Sequence, residues 1–160
     1  MELDRQPRRC LQKALFMIVI HPFAKPLIKG GVNPKIPGVA YWKELIALID
    51  EPIVQVGVEG EEQLVPDFRK NLTMPELKKL IAQCRTWIGI DSFFQHLAWD
   101  QGKPGIVLWS VSDPLIFGHP ENINLLADRK YLASNQFLWW DYTPHNVDAF
   151  VKPEEVIKFL

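Results

Sequence analysis

The chain has 160 residues, of which 48% are hydrophobic and 23% charged, and its formal net charge is −1. This length and apolar fraction predict one compact domain, and they exclude a collagen, a disordered tail and a disulfide-built mini-protein. The near-neutral charge also excludes the broad basic surface that nucleic acids and anionic membranes require. We therefore expect no nucleic-acid partner, and any site for an anion must be local.

The first residues, 1–13, are predicted to form a polar arm or linker, and residues 14–160 a single domain. The apolar run at 14–20 is too short to span a bilayer, so we expect no transmembrane segment. It is followed by His21-Pro22 and not by the small residues of a signal-peptide cleavage site. Within this run, residues 15–20 form a continuous β-favouring stretch that predicts a strand buried on both faces.

A loop of residues 22–39 comes next, with four prolines and three glycines. A loop this long inside a compact domain is usually functional or disordered. Apolar residues at helical spacing then predict a helix over 41–49. A second apolar run predicts a strand at 53–58.

The strongest local signal begins at Thr73. A threonine cap, a proline in the first turn and Glu76 at the capping-box position predict a helix over 75–84. The next apolar run, TWIGI at 86–90, predicts a third strand.

The C-terminal half continues the alternation of helices and strands. A helix is predicted from Ser92 to Gln101 and closed by Gly102, followed by strands at 105–109 and, more weakly, 124–126. Residues 128–152 show no clear period, and the last element is a predicted helix over 153–160.

This steady alternation predicts an α/β fold, a single Rossmann-like domain with a parallel sheet flanked by helices. Ligands of such sheets bind beyond the carboxyl ends of the strands, where loops meet helix N-termini. The loops that qualify are 21–39, 91–92 and 110–120.

Asp91 and Ser92 stand between a predicted strand and a predicted helix, so either is placed to cap that helix. The positive end of a helix favours an anion such as phosphate, and His96 follows Ser92 by four positions on the same face. In the alternative interpretation, Asp91 and Ser92 only cap the helix and His96 packs in the interior. A serine hydrolase is disfavoured because bulky Phe93 and Phe94 follow the serine.

Lys35 lies between Pro34 and Pro37, just before a predicted helix. A hydrogen bond from a lysine to phosphate is worth about 1.5–3 kcal/mol, so Lys35 should dominate the affinity for a diphosphate. Its replacement by alanine is expected to weaken binding several-fold with little change in melting temperature. The alternative is that Lys25, Lys29 and Lys35 are all solvated loop charges.

The segment after the strand at 105–109 offers Ser110, Ser112 and Asp113 as contacts for phosphate or ribose, although a plain turn explains them equally well. Phe137 with Trp139-Trp140 could form a sugar or partner platform, and core packing is the alternative.

Metal and redox chemistry have little support in the sequence. Cys10 and Cys84 lack the Cys-x-x-Cys spacing of a zinc or redox site, and their small number favours a reducing cytoplasm. We expect no metal, because the four histidines lack ligand-like spacing; they are His21, His96, His119 and His145.

Several motifs occur together in one order. Asp91-Ser92 is followed by His96-Leu97-Ala98, then by Gly102-Lys103-Pro104, an apolar strand and a Ser-Asp-Pro turn at 112–114. This order resembles the donor-binding half of glycosyltransferase family 9, the heptosyltransferase type, whose pattern is Asp-Ser-Gly, His-Leu-Ala, Gly-Lys-Pro and Gly-x-Thr-Asp-Pro. The resemblance covers most of residues 15–126.

The resemblance implies one half of a GT-B glycosyltransferase, in which two Rossmann-like domains face each other and the C-terminal one binds the donor. The donor would be a nucleotide-diphosphate sugar, an ADP- or UDP-sugar, transferred with inversion and without a cofactor or metal. By the same resemblance, Lys35 and the amides at Ser92 and Phe93, next to Asp91, would hold the diphosphate. His96 and the turn with Ser110, Ser112 and Asp113 would lie near the donor.

The sequence departs from the family pattern at three positions. Phe93 replaces the usual glycine, Ser112 the threonine and Ser110 the first glycine of the turn. A chain of 160 residues also holds one of the two domains, and the family's acceptor-side base comes from the other. Completion would need a separate N-terminal acceptor domain or a homodimer.

The leading hypothesis is therefore a cytoplasmic glycosyltransferase, or its donor-binding half, in glycan or lipopolysaccharide-type synthesis. The alternative is a non-catalytic nucleotide or sugar-nucleotide-binding module. A relative of the sugar-nucleotide epimerases is a third hypothesis, with no acidic or histidine pair to support it.

Overall fold

The computed structural model describes residues 17–138 and 142–160. A six-stranded sheet lies at its centre, with every neighbouring pair parallel and the strand order β3-β2-β1-β4-β5-β6. The strands are β1 Ile18–His21, β2 Ile53–Gly57, β3 Phe68–Lys70, β4 Thr86–Ile90, β5 Ile106–Trp109 and β6 Ile123–Leu126. The predicted parallel α/β sheet is confirmed. The predictions for residues 1–16, for Cys10 and for Trp139-Trp140 lie outside the described residues.

Helices connect the strands and continue after the sheet. They are α1 Val39–Ala47, α2 Met74–Gln83, α3 Phe93–Asp100, α4 Pro114–Phe117 and α5 Pro153–Val156, with 3-10 turns at Arg129–Tyr131, Val147–Ala149 and Ile157–Phe159. The predicted capping box of α2 is confirmed, because the Thr73 side chain accepts from the Glu76 backbone and the Glu76 carboxylate accepts from the Thr73 amide. The C-terminal helix is shorter than predicted, since it ends at Val156 and continues as a 3-10 turn.

Side chains alternate between the two faces of the sheet, so each strand feeds two apolar layers. Val19 of β1 packs in the layer beneath α2 and α3, where Trp87 and Trp109 are fully buried. Ile18 and Ile20 face the opposite layer, which contains the buried residues of α1 and α5. Helices on both faces explain why the strands have continuous apolar runs.

Two short elements differ from the sequence prediction. β3 was not predicted, because Phe68–Lys70 has no apolar run; its pairing with β2 forms it at the edge of the sheet. The segment after β5 was predicted to be a turn only, whereas Asp113 caps the one-turn helix α4.

The strand order reverses at the centre of the sheet, between β1 and β4. β1 ends at His21, which lies opposite Gly89 in the register, and Asp91 directly follows β4. Crevices at such a switch point, outside the carboxyl ends of the strands, bind ligands in open α/β sheets. In the described part of the chain, no helix has the length and apolar character needed to cross a membrane.

Candidate functional site

A buried ion pair occupies the switch point. The Lys35 ammonium lies 2.7 Å from Oδ2 of Asp91, and the two side chains are only 16% and 9% exposed. The other carboxylate oxygen, Oδ1, accepts a hydrogen bond of 2.9 Å from Nε2 of Gln95 on α3. One sequence interpretation allowed Asp91 to cap α3, but the Asp91 carboxylate does not do so. Instead it fixes the position of the lysine at the start of that helix.

The proline-rich loop holds Lys35 in this position. The Lys35 amide donates to Oδ1 of Asn33 at 2.9 Å, and the buried hydroxyl of Ser110 donates to the Pro34 carbonyl at 2.7 Å. The alternative of a solvated Lys35 is wrong, whereas Lys25 and Lys29 are exposed as that alternative expected.

Ser92 is the residue that caps α3. Its Oγ accepts from the Phe94 amide at 3.4 Å and lies 3.1 Å from Nδ1 of His21, the last residue of β1. The His21 ring stacks on Phe94, with the ring centroids 5.1 Å apart. Burial lowers the pKa of His21 to about 4, so the imidazole is neutral at neutral pH. Phe93, at the position where the family pattern has glycine, places its ring edge-to-face against His21 and remains 53% exposed.

His96 lies on the exposed side of α3, so the alternative that it packs in the interior is wrong. Its Nδ1 is 2.8 Å from Nε2 of His119, and the His119 ring stacks on Trp99 with the centroids 4.4 Å apart. Partial burial and the neighbouring His119 lower the pKa of His96.

Two of the predicted contacts have structural roles instead. Ser110 is 3% exposed, and its hydroxyl donates a hydrogen bond to the Pro34 carbonyl. The Asp113 carboxylate accepts from the Leu115 amide at 3.0 Å and from both terminal nitrogens of Arg129, which lowers its pKa. Neither residue lines the cleft described next, and their expected place near the donor stays a prediction.

An open cleft of about 480 Å³ lies at this edge of the sheet. Six of the eight predicted site residues line it: Lys35, Asp91, Ser92, Phe93, His96 and Ser112. The other lining residues are Phe117, Gln136, Phe137 and Leu138. Core packing of Phe137 is wrong, because that side chain is 82% exposed.

Sequence reasoning missed Gln136. Its Nε2 donates to the carbonyls of Val111 and Ala133 at 2.9 Å, and its Oε1 accepts from the Asp113 amide at 2.8 Å. Gln136 thus fixes the turn after β5 on the wall of the cleft. No sequence signal could have found it, because residues 128–152 have no regular period.

Among residues 17–138 and 142–160, no group of three or more His, Cys, Asp or Glu side chains is arranged to hold a metal ion.

Comparison with known proteins assigns the chain to a family. The model of glycosyltransferase family 9 (heptosyltransferase) matches residues 42–136, more than half of the chain. The chain belongs to glycosyltransferase family 9. The family 9 resemblance of the Asp-Ser, His-Leu-Ala and Gly-Lys-Pro motifs is thereby confirmed. A search of curated protein sequences gave no significant match.

Solved structures of family 9 proteins share the fold. A glycosyl transferase family 9 protein from Veillonella parvula superposes with a TM-score of 0.66 at 15% identity, over 99% of this chain and 51% of that one. The Escherichia coli heptosyltransferase WaaC, solved with ADP, gives a TM-score of 0.62 at 14% identity, over 92% and 44%. Heptosyltransferase TibC, solved with ADP-D-beta-D-heptose, gives 0.53 at 13% identity, over 88% and 36%. This family 9 chain therefore spans about half the length of its structural relatives or less.

Proposed function

We propose that this chain is the donor-binding half of a glycosyltransferase that uses a nucleotide-diphosphate sugar in glycan or lipopolysaccharide-type synthesis. The observation that carries the proposal is the Lys35–Asp91 ion pair at the start of α3, inside the cleft at the switch point of the sheet. Family membership supports the reaction class, and the location of the cleft agrees with where open α/β sheets bind nucleotides.

In this proposal the diphosphate is bound by Lys35 and by the first amides of α3, at Ser92 and Phe93. The positive end of a helix contributes about 0.3–1 kcal/mol at an exposed site. A hydrogen bond from an ammonium to phosphate contributes more, about 1.5–3 kcal/mol. The Asp91 carboxylate offsets part of the lysine charge and holds the ammonium in the cleft, with Nζ of Lys35 2.7 Å from Oδ2 of Asp91.

The other lining residues divide between the nucleotide and the sugar. We propose that His96 and Ser112 contact polar groups of the donor, because both line the cleft beside Lys35. Ser110 and Asp113 act indirectly, through the Pro34 carbonyl and through α4. Phe137 and Leu138 provide an exposed apolar wall, which suits a base or a sugar face.

The proposed reaction transfers the sugar with inversion to an acceptor hydroxyl. The bond from the anomeric carbon to the diphosphate oxygen breaks, and the leaving diphosphate keeps the electron pair. Lys35 and the start of α3 stabilise that developing negative charge, which is an electrostatic contribution that needs no metal. We propose that the base that deprotonates the acceptor comes either from a separate N-terminal acceptor domain or from a homodimer partner. We place the reaction in the cytoplasm.

The nucleotide is proposed to be ADP in preference to UDP. Two structural relatives were solved with ADP or an ADP-heptose, and the cleft residues of this chain are compatible with a diphosphate of either nucleoside.

Calorimetric titration tests the proposal. We expect ADP- and UDP-sugars to bind the chain, with the ADP-sugar tighter, and Lys35→Met to weaken binding at least several-fold. Lys29→Met is the matched control, because Lys29 lies in the same loop but is exposed and bonded to Tyr142. Absence of binding by both nucleotide sugars would refute the proposal.

Turnover separates the two functional hypotheses. Nucleotide release in the presence of an acceptor extract would support a transferase. Binding without release, even after addition of the N-terminal half of a relative, would instead support the non-catalytic nucleotide-binding module.

A further inference from the structure

We propose that His119 is a positioning residue of the donor site, which acts through His96 so that binding of a nucleotide diphosphate takes up a proton. The inference rests on the proposed function, because it needs an anion in the cleft that His96 lines. His119 itself is absent from that lining and stands behind His96.

The geometry of the two rings limits how many protons they can hold. Nδ1 of His96 and Nε2 of His119 are 2.8 Å apart, and the rings are edge-to-face with an interplanar angle of 80°. A hydrogen bond at this distance needs one donor and one acceptor nitrogen. A doubly charged pair would direct two N–H donors at each other and break the contact. The intact pair therefore carries no more than one positive charge.

The surroundings hold His119 in place. Its ring is stacked on Trp99 with an interplanar angle of 8°, and Nε1 of Trp99 donates to Oε2 of Glu121 at 3.2 Å. This stack fixes the direction of Nε2, so the hydrogen bond to His96 does not depend on a mobile side chain. His119 thereby fixes Nδ1 as the ring nitrogen of His96 that takes part in this hydrogen bond.

Partial burial and the neighbouring His119 favour the neutral form of His96 in the free protein. Partial burial, His119 and Lys35 disfavour its protonated form, and Asp91 favours it; together they lower the pKa of His96. The Lys35 and Asp91 charges are opposite and paired, so their effects on the pKa of His96 oppose each other. His96 is thus biased toward its neutral form before the ligand arrives.

A diphosphate in the cleft reverses this balance. Its negative charges lie on the side that His96 lines, and an opposite charge within about 4–6 Å favours the protonated form. The charged imidazole then donates from Nδ1 to Nε2 of His119, a charge-assisted bond that a neutral acceptor at this position makes possible. Binding therefore draws one proton from solvent into the pair.

Linkage sets the size of the effect. Between the pKa of His96 in the free protein and its higher value in the complex, affinity rises as the pH falls, by up to about tenfold per pH unit. Outside that window the affinity is independent of pH. Without His119, Nδ1 of His96 has only water as a partner, and the pH range over which affinity depends on pH becomes narrower.

The test is calorimetric titration of the full chain with ADP-glucose, whose diphosphate does not itself titrate near neutral pH. Titrations in two buffers of different ionisation enthalpy give the number of protons taken up, and EDTA removes adventitious metal ions. We expect clear proton uptake by the unchanged protein, approaching one per site. His119→Phe, which keeps an aromatic ring on Trp99, should lose most of this uptake. Trp99→Phe is the control, and it should retain the uptake because both histidines remain.

The outcomes are distinguishable. If neither ADP-glucose nor UDP-glucose binds, the proposed function fails and this inference fails with it; if only UDP-glucose binds, the same titrations are made with it. If it binds without proton uptake, the proposed function stands and the inference is overturned. If His119→Phe binds with undiminished uptake and an unchanged melting temperature, the proton goes to another group and His119 has no such role.

Discussion

Replacing Lys35 by methionine should lower the stability of the fold as well as the affinity for ADP. The substitution leaves the Asp91 carboxylate, whose side chain is 9% exposed, with Nε2 of Gln95 as its remaining side-chain partner. Breaking a buried pair costs about 3–5 kcal/mol. The bond from Gln95 and the slight exposure of the pair favour the lower end, about 3 kcal/mol. For a chain of this length that loss lowers the melting temperature by about 6–12 °C.

Thermal unfolding and ADP titration of three variants test this reasoning. Lys35→Met should lose stability and binding together, whereas the double variant Lys35→Met/Asp91→Asn should regain much of the stability without regaining ADP binding. An unchanged melting temperature in the single variant would show that the ion pair contributes nothing in solution. The sequence alone predicted little thermal effect of removing Lys35, and the buried partner reverses that expectation.

Three further substitutions test other parts of the structure. Burial lowers the pKa of His21 from 6.5 to about 4. The free energy of unfolding should therefore be full above about pH 6.5 and fall by about 3 kcal/mol as the pH drops through the folded pKa. In urea titrations, the stability of His21→Phe should lack this dependence on pH. Gly105→Ala places a Cβ against the Trp87 indole and should lower the free energy of unfolding by about 1–3 kcal/mol. Adding Trp87→Phe should restore part of this loss. A urea midpoint that Gly105→Ala leaves unchanged would contradict the prediction. Thr73→Ala removes the capping box and should cost about 1 kcal/mol, while Thr73→Ser, measured in the same way, should cost less.

Elements with local signals were predictable from the sequence. β4 was predicted with the bounds that it has, and α2 within a residue, because an apolar run and a capping box specify them without distant partners. β3 was not predictable in this way. Phe68–Lys70 is extended because β2 offers an edge for pairing, and that information lies elsewhere in the chain.

The candidate site shows the same division. The sequence placed the loop of Lys35 and the loop after β4 at one edge of the sheet, since the carboxyl ends of parallel strands lie at the same edge. The roles of adjacent residues did not follow, because only the coordinates show that Ser92 caps the helix while Asp91 binds the lysine. The sequence pattern offered His119 only as a possible metal ligand, since its contact with His96 depends on tertiary packing.

The central position of β1 has a consequence for how the chain folds. This strand pairs with β2 on one side and with β4 on the other, so one of its edges stays open until the ribosome has produced the segment ending at Ile90. Parallel pairing between such distant segments is slow, and the waiting intermediate exposes apolar surface that favours aggregation. We expect the nascent amino-terminal part of this protein to depend on chaperones until its fourth strand emerges.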